Sequence, residues 1–212
     1  MNTTLLSRFI IMILGNIFIG FAVTLFRIAD IGADPFTTFI LGGQFVTHMS
    51  YGVTTIVINL IIIIPLIIFG RDLIGWGTVV NMFGIGLISD GFISVYNNLD
   101  IVTDNFIAQL IVALIGVVML ALGASLYITA SLGVSPYDGM GIIVERLTKQ
   151  RVRYANARIL QDVIAVIGGV ILGATFGVAT LFAAFLTGPL ITYFNYNVSS
   201  KLFERLNKSF KH

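Results

Sequence analysis

The residues in this chain that could do chemistry are a few carboxylates, a guanidinium and two amides set in otherwise apolar sequence. Asp34 precedes Pro35 and Ser135 precedes Pro136, in the matching stretches Gly32-Ala33-Asp34-Pro35-Phe36 and Gly133-Val134-Ser135-Pro136-Tyr137. A small polar side chain followed by proline starts a helix, because its oxygen accepts from free backbone N–H groups and proline fits the first turn. Asp138 falls where a capping-box acid reaches back to the cap. Helix starts carry the positive end of a dipole and favour anionic groups. The plainer reading is two tight turns at a membrane surface, with Asp34 and Ser135 serving only as caps.

Other ionisable residues interrupt apolar runs, where charge is costly and marks either function or a paired network. Arg158 and Asp162 are four apart and can pair on one helix. Arg27 and Asp30 are similarly spaced near the end of a span, where snorkelling is cheap. Asp90 has no partner nearby in sequence, and its repeat counterpart is Thr192. Asn59 (counterpart Asp162) and Asn81 suit interhelical hydrogen bonds or the wall of a cavity. The candidate substrate-binding set is therefore Asp34, Ser135, Asp138, Asn59, Asn81, Asp90 and Asp162. No catalytic set emerges: the Gly-x-Gly-Asp partner of an intramembrane aspartyl protease is absent, since Leu87 follows Gly84-Ile85-Gly86. Metalloprotease, nucleophile-elbow, phosphate-loop and dinucleotide signatures are missing too. With no cysteine and only His48 and His212, neither thiolate chemistry nor a histidine metal cluster is expected, and no cofactor is expected.

The elements that position these residues follow from composition. Of 212 residues, 57% are hydrophobic and 10% charged, and the mean hydropathy is +1.00. Soluble domains carry roughly a quarter charged residues, so lipid must solvate most of this surface. A span needs about 20 apolar residues. Six fit: about 5–29, 54–69, 73–95, 106–130, 156–174 and 177–197. The first is taken as retained, because no small-residue cleavage site follows a short apolar core. Residues 35–48 and 136–148 form helices too short to span.

The two copies of this pattern set the organisation. Besides the Gly-x-x-Pro breaks, Gly75, Thr78, Phe83 and Gly86 recur as Gly177, Thr180, Phe185 and Gly188, and Tyr51 and Ile56 as Tyr154 and Ile159. The expectation is an all-α polytopic membrane protein of two three-span repeats, 1–98 and 99–200, with a basic tail over 201–212. The glycines of spans three and six (Gly75, Gly77, Gly84, Gly86, Gly177 and Gly188) are expected to permit close helix contact, and Gly188-Pro189 can kink the sixth span. Lysine and arginine bias places the N-terminus, the Arg71 turn, the 146–158 connector and the tail in the cytoplasm, with only Arg27 among the basic residues outside. The loop with Asp100 and Asp104 then lies outside. An odd number of spans per copy makes the repeat inverted. Basic residues thus sit where a membrane protein needs them, and nucleic acid is not an expected partner.

The break motifs, with the lead-in Leu122-Gly123-Ala124-Ser125-Leu126-Tyr127 and the continuation Tyr137-Asp138, resemble the YczE/YyaS/YitT group of bacterial integral membrane proteins. The YczE-like branch is the closest in appearance, and the resemblance covers nearly the whole chain. It implies a multi-pass protein of the bacterial inner membrane. It also implies a supporting role, since one YczE-like member is linked to production of a nonribosomal or polyketide antibiotic. The soluble C-terminal domain of some YitT relatives is not expected, since the sequence runs only a short way past the sixth expected span. The expectation is a small secondary transporter or exporter of a small solute or ion, with its site between the repeats. The rival is a non-transporting membrane partner that supports or localises a biosynthetic enzyme through the connector and tail. A homodimer is compatible with a chain of this size.

Overall fold

The computed structural model describes residues 3–99 and 105–209; Asp100, Asp104, Lys211 and His212 lie outside the described residues. The chain forms α1 (Thr3–Ala29), α2 (Pro35–Thr47), α3 (Tyr51–Phe69), a 3-10 turn (Arg71–Leu73), α4 (Trp76–Asn97), α5 (Phe106–Ala130), α6 (Pro136–Leu147), α7 (Tyr154–Ile171), α8 (Val178–Phe194), a π-helical turn (Asn195–Ser199) and α9 (Ser200–Ser209). No strand occurs among the described residues. Five stretches are long and apolar enough to cross a membrane: Leu5–Ala29, Tyr51–Phe69, Trp76–Asn97, Phe106–Ala130 and Val178–Lys208. The sixth expected span, α7, is 18 residues long, carries Arg158 and Asp162 and is not among the five. The chain is thus an all-helical polytopic membrane protein.

The helix boundaries follow local chemistry. Asp34 caps α2 by accepting from Thr37 N, and Ser135 caps α6 by accepting from Asp138 N, each with proline in the first turn. The second span starts at Tyr51 rather than about residue 54, because Ser50 caps it through Val53 N. The helix after Gly177 does not stop near 197 but passes through the π turn into α9.

α1 and α5 form the central pair and run antiparallel. Gly15 meets Gly123 and Tyr127 at one end, while Gly116 meets Leu25 and Phe26 at the other. A Cβ on Gly15 would stand 2.7 Å from the Gly123 carbonyl, and one on Gly123 2.7 Å from the Gly15 carbonyl. Around this pair the two halves exchange elements. α4 packs on α1 and α8 on α5, while α2 packs on α7 and α6 on α3. Gly42 and Gly169 let the α2 and α7 backbones touch, and Gly139 admits Leu66 of α3.

The breaks themselves are locked by reciprocal seams. At the first, Ala179 N donates to Ile31 O (3.1 Å) and Ala33 N to Thr180 Oγ1 (3.2 Å). At the second, Gly77 N donates to Leu132 O (2.8 Å) and Thr78 Oγ1 to Val134 O (2.7 Å). Gly32 and Gly133 take φ of 105° and 113°, a region glycine enters freely. A Cβ on either Gly75 or Gly177 would lie 2.2 Å from the opposing carbonyl oxygen. Not every glycine is a contact point, however. Gly84 has only ordinary neighbours, and a Cβ on Gly188 would meet nothing within 4 Å, because both face outward from the packed seams. The exchange is also imperfect: α3 packs along α4, whereas α7 and α8 share no comparable seam.

Candidate functional site

The starts of the two short helices meet. Phe36 and Tyr137, the residues that follow the two break prolines, stack with ring centroids 4.4 Å apart and planes at 24°. These are matching positions of the two Gly-x-x-Pro motifs, so the breaks face one another. Around the stacked rings, α7 supplies the charge. Arg158 donates through Nε to Asp162 Oδ1 (3.1 Å) and through Nη1 to Asp138 Oδ1. Tyr137 OH donates to Asp162 Oδ1 (2.8 Å), and the guanidinium lies 4.7 Å from the Tyr137 ring centroid. Gln161 Nε2 donates to Tyr137 O (2.7 Å). Ser135 Oγ donates to Asp138 Oδ2 (2.7 Å) while accepting from Asp138 N (3.1 Å). Asp138 therefore grips the cap's hydroxyl rather than the backbone N–H that a capping box would use.

Asp34 joins this group from the other half. Its Oδ1 accepts from Thr37 N at 3.3 Å, and it interacts electrostatically with Arg158 and Asp162. Its second oxygen, Oδ2, is buried with no partner. Both helix starts are thus capped by their own side chains, which weakens the expectation that their free N–H groups await an anion. Three carboxylates surround one guanidinium, so the cluster is net negative when all are ionised.

Asp90, which has no partner nearby in sequence, belongs to an adjoining network and finds its partners on other helices. Its Oδ1 accepts from Arg27 Nη1 (2.9 Å) and its Oδ2 from Gly52 N (2.7 Å), which fixes the start of α3. Arg27 consequently does not pair with Asp30; it also donates to Ser89 Oγ (2.9 Å), and Asp30 accepts from Thr175 Oγ1 (3.3 Å). Sequence spacing favoured the local partner, but the parallel packing of α4 on α1 brings a carboxylate to the guanidinium. Arg27 lies 4.8 Å from the Tyr51 ring centroid, and Tyr51 OH donates to Thr37 Oγ1 (3.4 Å). A chain of polar contacts therefore runs from Asp90 through Arg27, Tyr51 and Thr37 to Asp34.

Asn59 and Asn81 are buried on α3 and α4 but make no hydrogen bond to either network; Asn59 Oδ1 has no partner. Sequence reasoning missed Phe36, Tyr51, Gln161 and the catching role of Tyr137. The one available signal was an aromatic residue after the proline in both breaks. A cavity of about 280 Å³ opens beside the first break, lined by Phe26, Arg27, Asp30, Gly32, Gln44 and Thr175 among others. Among the described residues, no three His, Asp or Glu side chains are placed to hold a metal ion.

Comparisons with known proteins agree with the membrane architecture. The uncharacterised membrane protein YczE of Bacillus subtilis strain 168 is 24% identical over 198 residues, which is 91% of this chain and 87% of that protein. No solved structure matches. Residues 6–196 match a family of unknown function, DUF6198. The protein belongs to the DUF6198 family and is a YczE-like multi-pass membrane protein.

Proposed function

We propose that this protein is a small secondary transporter or exporter of a small solute, built from two three-span repeats that cross the bacterial inner membrane in opposite senses. The observation that carries this reading is the meeting of two short-helix starts, one from each half, on a single charged cluster. Broken helices at matching positions of inverted repeats are where secondary transporters bind substrate and coupling ions. The antiparallel α1–α5 pair and the reciprocal seams at Leu132 and Ile31 support the inverted arrangement. α7 serves as the sixth span. Its two charges pair within the protein, as intramembrane charges must. Both termini lie in the cytoplasm, and no catalysis is assigned. A docking role for the tail is less well supported, because Leu202, Phe203 and Leu206 of α9 pack against α1 and α5 and Arg146 of the connector is held by Asp72.

Two measurements test this. Single cysteines at Asn98 and Gln150 are expected to react with impermeant reagent from opposite sides of the membrane; reaction from the same side removes the inverted repeat. Thermal unfolding against a solute panel is expected to show a saturable shift. A ligand at a hundredfold excess over its Kd stabilises the folded form by about 2.7 kcal/mol. A solute that shifts the wild type but not Asp138→Asn, and that then accumulates in proteoliposomes, establishes transport.

A further inference from the structure

The carboxylates near the two breaks differ in one respect. Asp138 has Arg158 Nη1 on Oδ1 and Ser135 Oγ on Oδ2. Asp162 has Tyr137 OH and Arg158 Nε on Oδ1, with Arg158 Nε also within 3.3 Å of Oδ2. Asp90 has Arg27 on one oxygen and Gly52 N on the other. Only Asp34 keeps a buried oxygen without a donor. An ionised carboxylate in such a place is costly, whereas its protonated form removes the charge. We propose that Asp34 is a proton-loading carboxyl: it binds one proton in the state shown by this structure and gives it up when the seam between the halves rearranges.

The surroundings fit this exchange. Facing Asp34 are Arg158 and Asp162 from α7, Tyr137 from α6 and Tyr51 from α3. Among the described residues, Arg158 is the cation that acts on Asp34, and it is already held by Asp138 and Asp162. When Asp34 is protonated, Arg158 keeps both of its own partners. When Asp34 loses its proton, it becomes a third claimant on the same guanidinium, and the contest sits between α2 of one half and α6–α7 of the other. Protonation is thereby tied to the contact on which the two halves would have to move. The cavity beside the first break reaches Gly32, two residues before Asp34 in the chain, while Asp34 itself stays out of its lining in this state. On rearrangement the O–H bond breaks and water takes the proton; no other bond is made or broken.

This inference rests on the transport reading for its purpose but not for its test. The protein reconstituted in liposomes is titrated while the carboxyl C=O stretch is followed by infrared difference spectroscopy. The expected result is a protonated-carboxyl band that disappears well above about pH 4, where a solvated aspartate titrates. The band is expected to be lost in Asp34→Asn and retained in Asp90→Asn. Asparagine also caps helices, so Asp34→Asn is expected to fold; Asp34→Ser, the residue type found at the other break, serves as a second variant. A band that survives in both Asp34 variants, or a wild type with no such band, overturns the proposal. Either outcome can occur alongside intact solute accumulation, which would leave transport standing with another coupling.

Discussion

Alanine at Gly75 should break the seam at the second break, and its size can be worked from the geometry. The new Cβ would stand 2.2 Å from the Leu132 carbonyl oxygen, where an ordinary contact begins at 3.4 Å. The opposing atom is backbone, so it cannot rotate away. Opening the gap strains the bond from Gly77 N to Leu132 O (2.8 Å) and that from Val134 N to Leu73 O (3.0 Å). Overpacking costs about 1–3 kcal/mol, and each lost hydrogen bond adds roughly 1 kcal/mol. Gly75→Ala is therefore expected to destabilise by about 2–5 kcal/mol, and Gly177→Ala, at 2.2 Å from Ile31 O, by a similar amount. Backbone strain plays no part, because both glycines have extended φ, −151° and −161°. The control is Gly91→Ala in α4, where a Cβ meets nothing within 4 Å; helix propensity alone should make it stabilising by about 0.5–1 kcal/mol. Unfolding in mild detergent can be followed through Trp76, the single tryptophan, next to the seam. A Gly75→Ala protein as stable as Gly91→Ala would refute the seam, and a harmless Gly177→Ala would refute its reciprocity.

Other substitutions probe the cluster and its surroundings. Tyr137→Phe keeps the stack on Phe36 but removes the donor to Asp162, and is expected to cost about 1 kcal/mol in unfolding free energy. Arg158→Leu leaves Asp138 and Asp162 facing each other without a cation. Its cost is expected to stay below the roughly 3–5 kcal/mol of a fully buried pair, because these side chains are 29–36% exposed. Added Asp138→Asn should recover part of that loss, since one of the stranded charges is gone. Asp72 is held bidentately by Arg146, which keeps its carboxyl below its ordinary value. Its contribution is therefore present at neutral pH and lost as pH falls through that lowered value. Asp72→Asn should flatten this part of the acid titration of stability, and salt should weaken the pair in the wild type.

The sequence made the breaks legible because their chemistry is local. Asp34 and Ser135 cap, and Pro35 and Pro136 follow, wherever the rest of the chain goes. Asp90 was not legible, since its partner Arg27 lies on another helix and only packing brings them together. The same holds for the stack of Phe36 on Tyr137, which depends on how the two halves meet. Arg158 was read correctly as a partner of Asp162 four residues on, but its second hold on Asp138 requires the turn between α6 and α7. Glycine spacing predicted close approach well where the opposing surface is backbone, as at Gly75 and Gly177. It failed at Gly188, because a small residue in a helix does not reveal which way it faces.

The packing of α9 on α1 bears on the order in which the molecule can be finished. Leu202, Phe203 and Leu206 cover the cluster that contains Ile11 and Met12, and Arg8 lies 5.9 Å from the Phe203 ring centroid. α1 is thus made about 170 residues before α9, and its end near Ile11 is enclosed only when α9 arrives. At roughly 5–20 residues per second, that exposed stage lasts on the order of ten seconds. During this interval a holding chaperone, or the wrong helix of a neighbouring chain, can occupy the place of α9. A protein fused close behind residue 209 would interfere at the same moment.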